Sequence, residues 1–394
     1  MKARIKAAIF GAFLAVGSGY LCLTTPLGDG LVLASYDLPF KFRPFIFPKE
    51  VVIVYLDDAS HEKLHQKYTE VWNRGYYTKL LTRLTADHAK AVVFDIIFSD
   101  AMDPATDQAF AKAMEANGNV VIGAELATVA YGPHVLTEIH LMPPAKIFAE
   151  SAADLGLDGV FADQDLEIRS YLPTTKYAGQ SSPTPMASEA WAGATLADPT
   201  LLTNKTLQDT TFWMNYYGPE MMTLPFVSLY QALADSDPNV PPGCFSNKVV
   251  FVGERLQTQL VGNRKDEYTS PYSWIPQNRF MSGVGIQATA CLNLIRGDYL
   301  RRLDWGTERT IILLLGVLFG AGLVLFRPIP AVMLALFSAI LIALLDYLCF
   351  VKLHYWFPCL IPILVQIPVA LVWSVAAHSV QLSAQLRSLQ NPQN

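Results

Sequence analysis

Cysteine is scarce in this chain: five in 394 residues, of which Cys22, Cys349 and Cys359 sit in or beside long apolar runs. A disulfide-stapled scaffold is therefore excluded. One bridge, Cys244–Cys291, stays open for an oxidising compartment, because sequence spacing does not fix the distance between two thiols. The polar region holding that pair is large enough to bury a core without it. Basic residues are short as well, with 29 Lys and Arg against 34 Asp and Glu and a net charge of −5. The N-terminal stretch holds Lys2, Arg4, Lys6 and Asp29, a balance of +2; the four bases and two acids from Gly306 onward give another +2, so the middle carries −9. Nucleic-acid binding needs clustered Lys and Arg on phosphate, and an acidic middle excludes it. No internal repeat or low-complexity segment is present. Gly283-Val-Gly285 lacks the third glycine of a dinucleotide loop and does not closely follow a strand.

Apolar length is what the chain has in quantity. Ile9–Thr24 opens it, and Thr310–Phe326, Ile329–Phe350 and Trp356–Ala377 close it. A hydrocarbon core about 30 Å thick needs roughly 20 apolar residues in helix, and each block meets or approaches that length. Lys2, Arg4 and Lys6 favour a cytoplasmic N-terminus, and Arg327 and Arg387 draw the short hairpin and the tail to the same side. Four crossings satisfy all three preferences. They leave the middle outside, with Trp305, Tyr355 and Trp356 near the outer interface and Trp373 near the inner one. Cys22-Leu23-Thr24-Thr25-Pro26 offers no clear small-x-small cleavage site. The expected segments are a tip and first span (1–33), an extracytoplasmic domain (34–305), three spans (306–377) and a cytoplasmic tail (378–394). Gly17, Ser18 and Gly19 give the first span a small-residue face. Asp346 is an acid near the outer end of the third span, within reach of Lys352 or His354.

The domain reads as α/β with a mostly parallel sheet flanked by helices. Val51–Leu56, Ala91–Phe98, Val120–Leu126 and Lys248–Gly253 are apolar runs expected as buried strands. Helices are expected at 59–66, 76–87, from Asp103 or Thr106 through Glu115, at 226–234 and at 285–295. The β-α-β-α-β order implies right-handed crossovers, and Arg169–Lys176 and Thr211–Tyr217 read as additional strands. Open parallel sheets bind ligands outside the strand carboxyl ends. Those ends carry Asp57, Asp58, Asp95, Ser99, Asp100, Glu125 and Glu254. Converging carboxylates suit a cation or a cationic or hydroxyl-rich ligand. The same acids also suit helix caps, Asp58 or Ser60 above all, whereas Glu254 follows Gly253 with no capping reason.

The order of motifs resembles the CHASE2 family of extracytoplasmic sensor domains. The matching pieces are Val51-Val-Ile-Val-Tyr-Leu-Asp57-Asp58-Ala-Ser60, Trp72-Asn-Arg74, and Ala91-Val-Val-Phe-Asp95-Ile-Ile-Phe-Ser99. They continue with Val249-Val-Phe-Val-Gly253, Asp266 with Ser270-Pro271, and Gly283-Val-Gly-Ile-Gln-Ala288. The resemblance covers roughly 30–305, and the helix triplet that follows is also similar to the family's. It implies a ligand-binding sensor and adds Arg74 and Asp266 to Asp57, Asp58, Asp95 and Glu254 as candidate ligand contacts. This chain departs in having a single Trp72 where the family has a Trp-Pro-Trp-like segment. It has Glu254 in place of a small hydroxyl residue, and Gly285 and Gln287 where Glu and His often stand. Relatives usually continue into a cyclase, kinase or phosphatase; here only His378–Asn394 follow, so output is expected through a cytoplasmic or membrane signalling partner. Leu382, Leu386 and Leu389 are spaced for such a contact.

His61-Glu62-Lys63-Leu64-His65 fits H-E-x-x-H, the zincin pattern, in which two histidines one helical turn apart bind zinc and the glutamate activates water. Glu70, His88 and His134 are the available third ligands. A membrane-anchored zinc hydrolase is thus the enzymatic alternative, a surface site where His61 and His65 bind a divalent metal without catalysis is the milder reading of the same residues, and a non-signalling membrane scaffold is the third. Asn204-Lys-Thr206 is a glycosylation sequon only in a eukaryotic source. The reading that fits most of the chain is a multi-pass bacterial inner-membrane sensor in the lipid bilayer, with its main domain periplasmic or extracellular. Its ligand is a small molecule or periplasmic component. No cofactor is named by the sequence, and a homo-oligomer is left open.

Overall fold

The computed structural model describes residues 2–129, 138–177, 185–256 and 266–390. The chain forms two compact units: Pro44–Tyr299, and Met1–Arg43 together with Leu300–Asn394.

In the first of these, β1 (Val51–Asp57) runs into α1 (Asp58–Lys63), then come α2 (Arg74–Ala86), β2 (Ala91–Phe94), α3 (Pro104–Asn117) and β3 (Val120–Val129). After β4 (Glu138–Met142) and β5 (Asp154–Leu157) come α4 (Glu189–Ala197), β6 (Phe226–Ser228), α5 (Leu229–Leu233), β7 (Val249–Arg255) and α6 (Gly283–Arg296). The sheet order is β6-β1-β7-β2-β3-β4, with β5 also on β3, and every pairing is parallel except β3–β4. The α/β reading with a mostly parallel sheet therefore holds. The register sets Val54, Val252, Phe94 and Ile122 side by side, so β1, β7, β2 and β3 end on one rim.

Because side chains alternate across a strand, the sheet has two apolar faces. Val52, Val54, Leu56, Val92, Phe94, Val250 and Val252 pack on one side against Leu80, Leu81 and Leu84 of α2 and Phe110 and Met114 of α3. Each fully buried leucine contributes roughly 1.5–3 kcal/mol. Local signals agree: Asn73 caps α2 through the Gly75 N–H at 2.8 Å. Asp103 caps α3 through the Thr106 N–H at 2.9 Å, with Pro104 at the first turn. On the other face α4 lies over Val93, Val249 and Phe251, and α6 meets Gly253 through Val284.

Several expectations shift. Residues 226–234 are not one helix: Phe226–Ser228 pairs with Ile53–Tyr55 as an edge strand, and only Leu229–Leu233 is helical. The free edge of β1 overrode a helical pattern too short to stand alone. Residues 91–98 give a strand only to Phe94, after which Asp95 bonds the Val252 carbonyl and the Gly123 N–H bonds Ile96. Of the extra strands, Ser170–Tyr171 does pair antiparallel with Phe212–Trp213. The Cys244–Cys291 bridge is absent; both thiols are free. Cys244 packs against the α2–α3 side of the sheet, and Cys291 is buried in α6 on the other.

The second unit holds four helices long and apolar enough to cross a membrane: Arg4–Thr24, Trp305–Leu325, Pro328–Leu353 and Pro362–Leu386. Helices Asp29–Asp37 and Leu38–Lys41 belong to this unit as well. A Cβ on Gly11 would stand 2.3 Å from the Gly320 carbonyl, so those two helices touch backbone to backbone, as small residues permit in membranes. The last helix opens with a π turn, Pro362–Gln366. Gln366 is fully buried there and donates to Ala15 O at 3.2 Å and Ile312 O at 2.8 Å. Trp356 does not start that helix: Tyr355–Trp356 pairs as a parallel strand with Arg301–Arg302. Asp346 is buried and accepts from the Phe357 N–H at 3.4 Å. Among the described residues, Lys352 and His354 form no ion pair with it.

Candidate functional site

The rim at the ends of β1, β2 and β7 opens into a cleft of about 700 Å³. Asp95, Glu254 and Asp266 line it together, as the sequence predicts, and Asp158 joins them from the end of β5. Trp72, Phe98 and Tyr68 stand among its walls, with Tyr77 and Val284 deeper.

The other predicted contacts are placed differently. Asp57 spends its carboxylate on structure: Oδ1 accepts from Ser60 N–H at 2.9 Å and Ser60 Oγ at 2.6 Å, and Oδ2 from the Ser228 hydroxyl. That is an N-cap tied to the neighbouring strand, and Asp57 does not line the cleft. Asp58 is bonded by Tyr68 Oη at 2.9 Å and stays outside as well. Arg74 touches the cleft, but its guanidinium pairs with Asp107 at 2.5 Å, donates to the Asp100 carbonyl and lies 4.5 Å from the Phe148 ring centroid. A buried arginine so engaged holds the loop after β2 in place.

The zinc pattern is broken by the backbone. Helix α1 ends at Lys63, and His65 sits at φ 55° beyond it, so the two imidazoles do not share a helical face. His61 is buried, with Nδ1 2.8 Å from Gln66 O and its ring stacked 4.1 Å from Tyr68 and 4.5 Å from Trp72. It wedges the 64–72 loop shut. Glu62 is exposed beside Lys63. Among the described residues no three His, Cys, Asp or Glu groups come close enough to hold a metal ion; His134 lies outside the described residues.

The most telling residue is one the sequence reading did not single out. Glu189 opens α4 behind its N-cap Ser188, fully buried, with neither carboxyl oxygen in a hydrogen bond of ordinary geometry. Gly123 and Gly156 make its seat: a Cβ on Gly156 would be 2.5 Å from Glu189 Cα, and one on Gly123 2.9 Å from its Oε1. Burial, and then the charges of Asp95 and Asp158, push its proton affinity far above the carboxylate range. Asp95 beside it is raised to about 7, by burial first and then by Asp158 and Asp266. Asp158 is raised to about 6 by burial and Glu125. Glu254 is raised by burial, against a lowering from His61. Near neutral pH the group therefore holds protons that isolated acids would have lost. The available sequence signals were the Asp158-Gly159 step after a short apolar strand and Ser188 capping a helix.

Two departures from the family pattern acquire reasons. Beside Gly285 there is no room for a side chain, because Glu220 Oε1 would be 2.3 Å from its Cβ. That buried glutamate is bonded by Tyr55 Oη at 2.6 Å and Ser282 N–H at 2.9 Å. Gln287 is buried between the Tyr171 hydroxyl and the Asp158 carbonyl, to which it donates at 2.8 Å. It thus fixes the backbone that presents Asp158.

The class these features define is an α/β domain joined to four membrane-length helices, with an acid-lined, ligand-sized cleft at the strand ends. A family model, the CHASE2 domain, matches residues 10–324. The chain belongs to the CHASE2 family, a family of sensory domains rather than of enzymes. No curated protein and no solved structure matches the chain.

Proposed function

We propose that this protein is a membrane-anchored sensor that detects an extracytoplasmic ligand in the cleft beside Asp95, Glu254 and Asp266. Its C-terminal helices pass the change inward. The carrying observation is that cleft: it lies at the strand carboxyl ends of a sensory-family domain, where open parallel sheets bind ligands. Its carboxyls carry shifted proton affinities of the kind that cluster at functional sites. The bilayer is the inner membrane of a bacterium, and the domain faces the periplasm or exterior.

The segment where the domain's chain meets the helices supports a transmission route. Arg301–Arg302 is clamped to the turn between the third and fourth apolar helices, through Arg301 N–H to His354 O at 2.8 Å and Leu303 N–H to Trp356 O at 3.1 Å. Arg302 also grips Glu308 with two bonds, 2.7 and 2.9 Å, at the start of the second apolar helix. A displacement of 300–302 is then felt by three helices at once, and a ligand acts by its differential affinity for two such states. The last helix runs on past the apolar stretch with Leu382 and Leu386 exposed, a surface for a signalling partner.

The test is sidedness in intact cells. Ser99→Cys should react with a membrane-impermeant maleimide from outside, and Ser383→Cys only after the membrane is permeabilised. The reverse pattern would remove the sensor from the compartment it is proposed to sample.

A further inference from the structure

The lining of the cleft narrows what can occupy it. Among its described residues Glu70, Asp95, Asp100, Asp158, Glu254 and Asp266 are acids, and the one base, Arg74, is committed to Asp107. Trp72 and Phe98 supply apolar ring surface on the same cleft. Acidic lining alone would say little. Glu189 adds a second observation: it is fully buried against Asp95, and its oxygens have no ordinary hydrogen-bond partner beyond that second acid. Other acids of this domain are taken up by structure, as half-buried Asp57 is by Ser60 and Ser228 and buried Glu220 by Tyr55 and Ser282. Glu189 turns to Asp95 for its side-chain contact, and Asp95 in turn lines the ligand-sized space, where Asp158 Oδ1 also lacks a hydrogen-bond partner.

The choice between cations follows from spacing. A metal ion needs three or more donors converging on one point, and no such trio exists among the described residues. An ammonium or guanidinium head has several N–H donors and reaches acids spread over a wider shell. Its flanks are also attracted to aromatic faces. We propose that the cleft binds a small organic cation, an amine or guanidine with an apolar or aromatic body. The head lies against Asp95, Asp158 and Asp266, and the body lies along Trp72 and Phe98. Burial and like charge leave Asp95 and Glu189 holding a proton near neutral pH, and the arriving cation sends it to solvent, so the charge of the acid group plus ligand is conserved. The groups facing this pair are Asp158 and Asp266, with Tyr268 next to them. Glu125 faces Asp158, and His61 and Asp58 face Glu254. This inference rests on the cleft being the sensor's ligand site.

The experiment is calorimetric titration of the full chain in lipid nanodiscs with phenethylamine, agmatine, 2-phenylethanol, phenylacetate and Ca²⁺, in buffers of different ionisation heat. Phenethylamine or agmatine should bind at least about tenfold more tightly than 2-phenylethanol. Near pH 6–7 that binding should release up to about one proton, with affinity rising as pH rises. Asp95→Asn should weaken it at least about tenfold. Glu189→Gln, neutral like the protonated native acid, should fold normally and lower the proton release. Equal binding of the alcohol or the anion, tighter binding of Ca²⁺, or no binding of either amine overturns the organic cation. Ser99→Trp, filling the cleft mouth, separates that failure from failure of the site. If small-molecule extract of the growth medium stabilises the chain and Ser99→Trp erases the shift, the cleft survives without the amine. A shift that Ser99→Trp leaves intact overturns the cleft itself.

Discussion

Replacing Asp95 with Asn changes little volume and removes a charge that the folded domain holds at a cost. The unfolded chain titrates this carboxyl at the ordinary value of 3.8, and the folded one at about 7. For an acid with a raised folded value, the native state binds the extra proton between those two pH values, so stability falls as pH rises through the window and then levels. Below the lower value the carboxyl is neutral in both states and contributes nothing to the difference. Above the upper value its ionisation penalty, on the order of 4 kcal/mol by linkage, falls wholly on the native state. Neighbours that take up the proton in its place reduce what is recovered, so Asp95→Asn should stabilise by about 2–4 kcal/mol at pH 8. For a domain of this size that is a rise of several degrees in Tm. At about pH 4 the same substitution should be neutral or slightly harmful. Tryptophan-fluorescence melting of the full chain in nanodiscs at both pH values reads the effect. A gain of the same size at both, or a loss at pH 8, would refute the account of Asp95 as a buried acid under pressure from its neighbours.

Three further outcomes follow from the geometry. Gly156→Ala places a methyl carbon 2.5 Å from Glu189 Cα, so it should cost about 1–3 kcal/mol and displace α4. Melting temperature checks the first effect, and a change in the pH dependence of stability the second. Glu62→Gln and added chelator should leave melting unchanged, and purified protein should carry far less than one zinc per chain by elemental analysis; stoichiometric zinc lost with His61→Ala would revive the hydrolase. Gln366→Leu removes two buried bonds from the last helix to its neighbours, so SDS or thermal unfolding in detergent should show a loss of about 1–2 kcal/mol.

The strand skeleton was legible because parallel strands buried on both faces leave continuous apolar runs: Val51–Leu56 and Val249–Val252 announce themselves. The order of those strands was not, since β7 inserts between β1 and β2 from nearly 200 residues downstream of β1. Phe226–Ser228 was hidden for a related reason: it is a strand only because β1 offers it an edge. The site divided along similar lines. Asp95 and Glu254 stand at the ends of legible strands, so their place on the cleft rim was readable. Asp158 follows a strand of four residues and Glu189 opens a helix packed on the opposite side of the sheet from α2, so neither carries a local mark of convergence. Asp57 was ambiguous because a cap and a ligand contact use the same carboxylate at the same strand end, and only Ser60 and Ser228 show where its bonds go.

The acid group and the capping acids of the same rim illustrate how one architecture serves two ends. A parallel sheet aims strand carboxyl ends, helix N-termini and their acids at one edge, and most of those acids are absorbed by N–H groups that would otherwise lack partners. Asp57 and Asp103 are so absorbed, and Asp103 is held below the usual carboxylate range by the Thr106 N–H it accepts. Asp95 and Glu189 face one another instead, with burial and like charge both opposing ionisation. Selection for stability alone would favour an amide or an apolar residue at either position. An acid stands at both, beside open volume and above a glycine seat shaped to admit one of them, so this corner of the sheet carries a cost in folding that the capping acids do not.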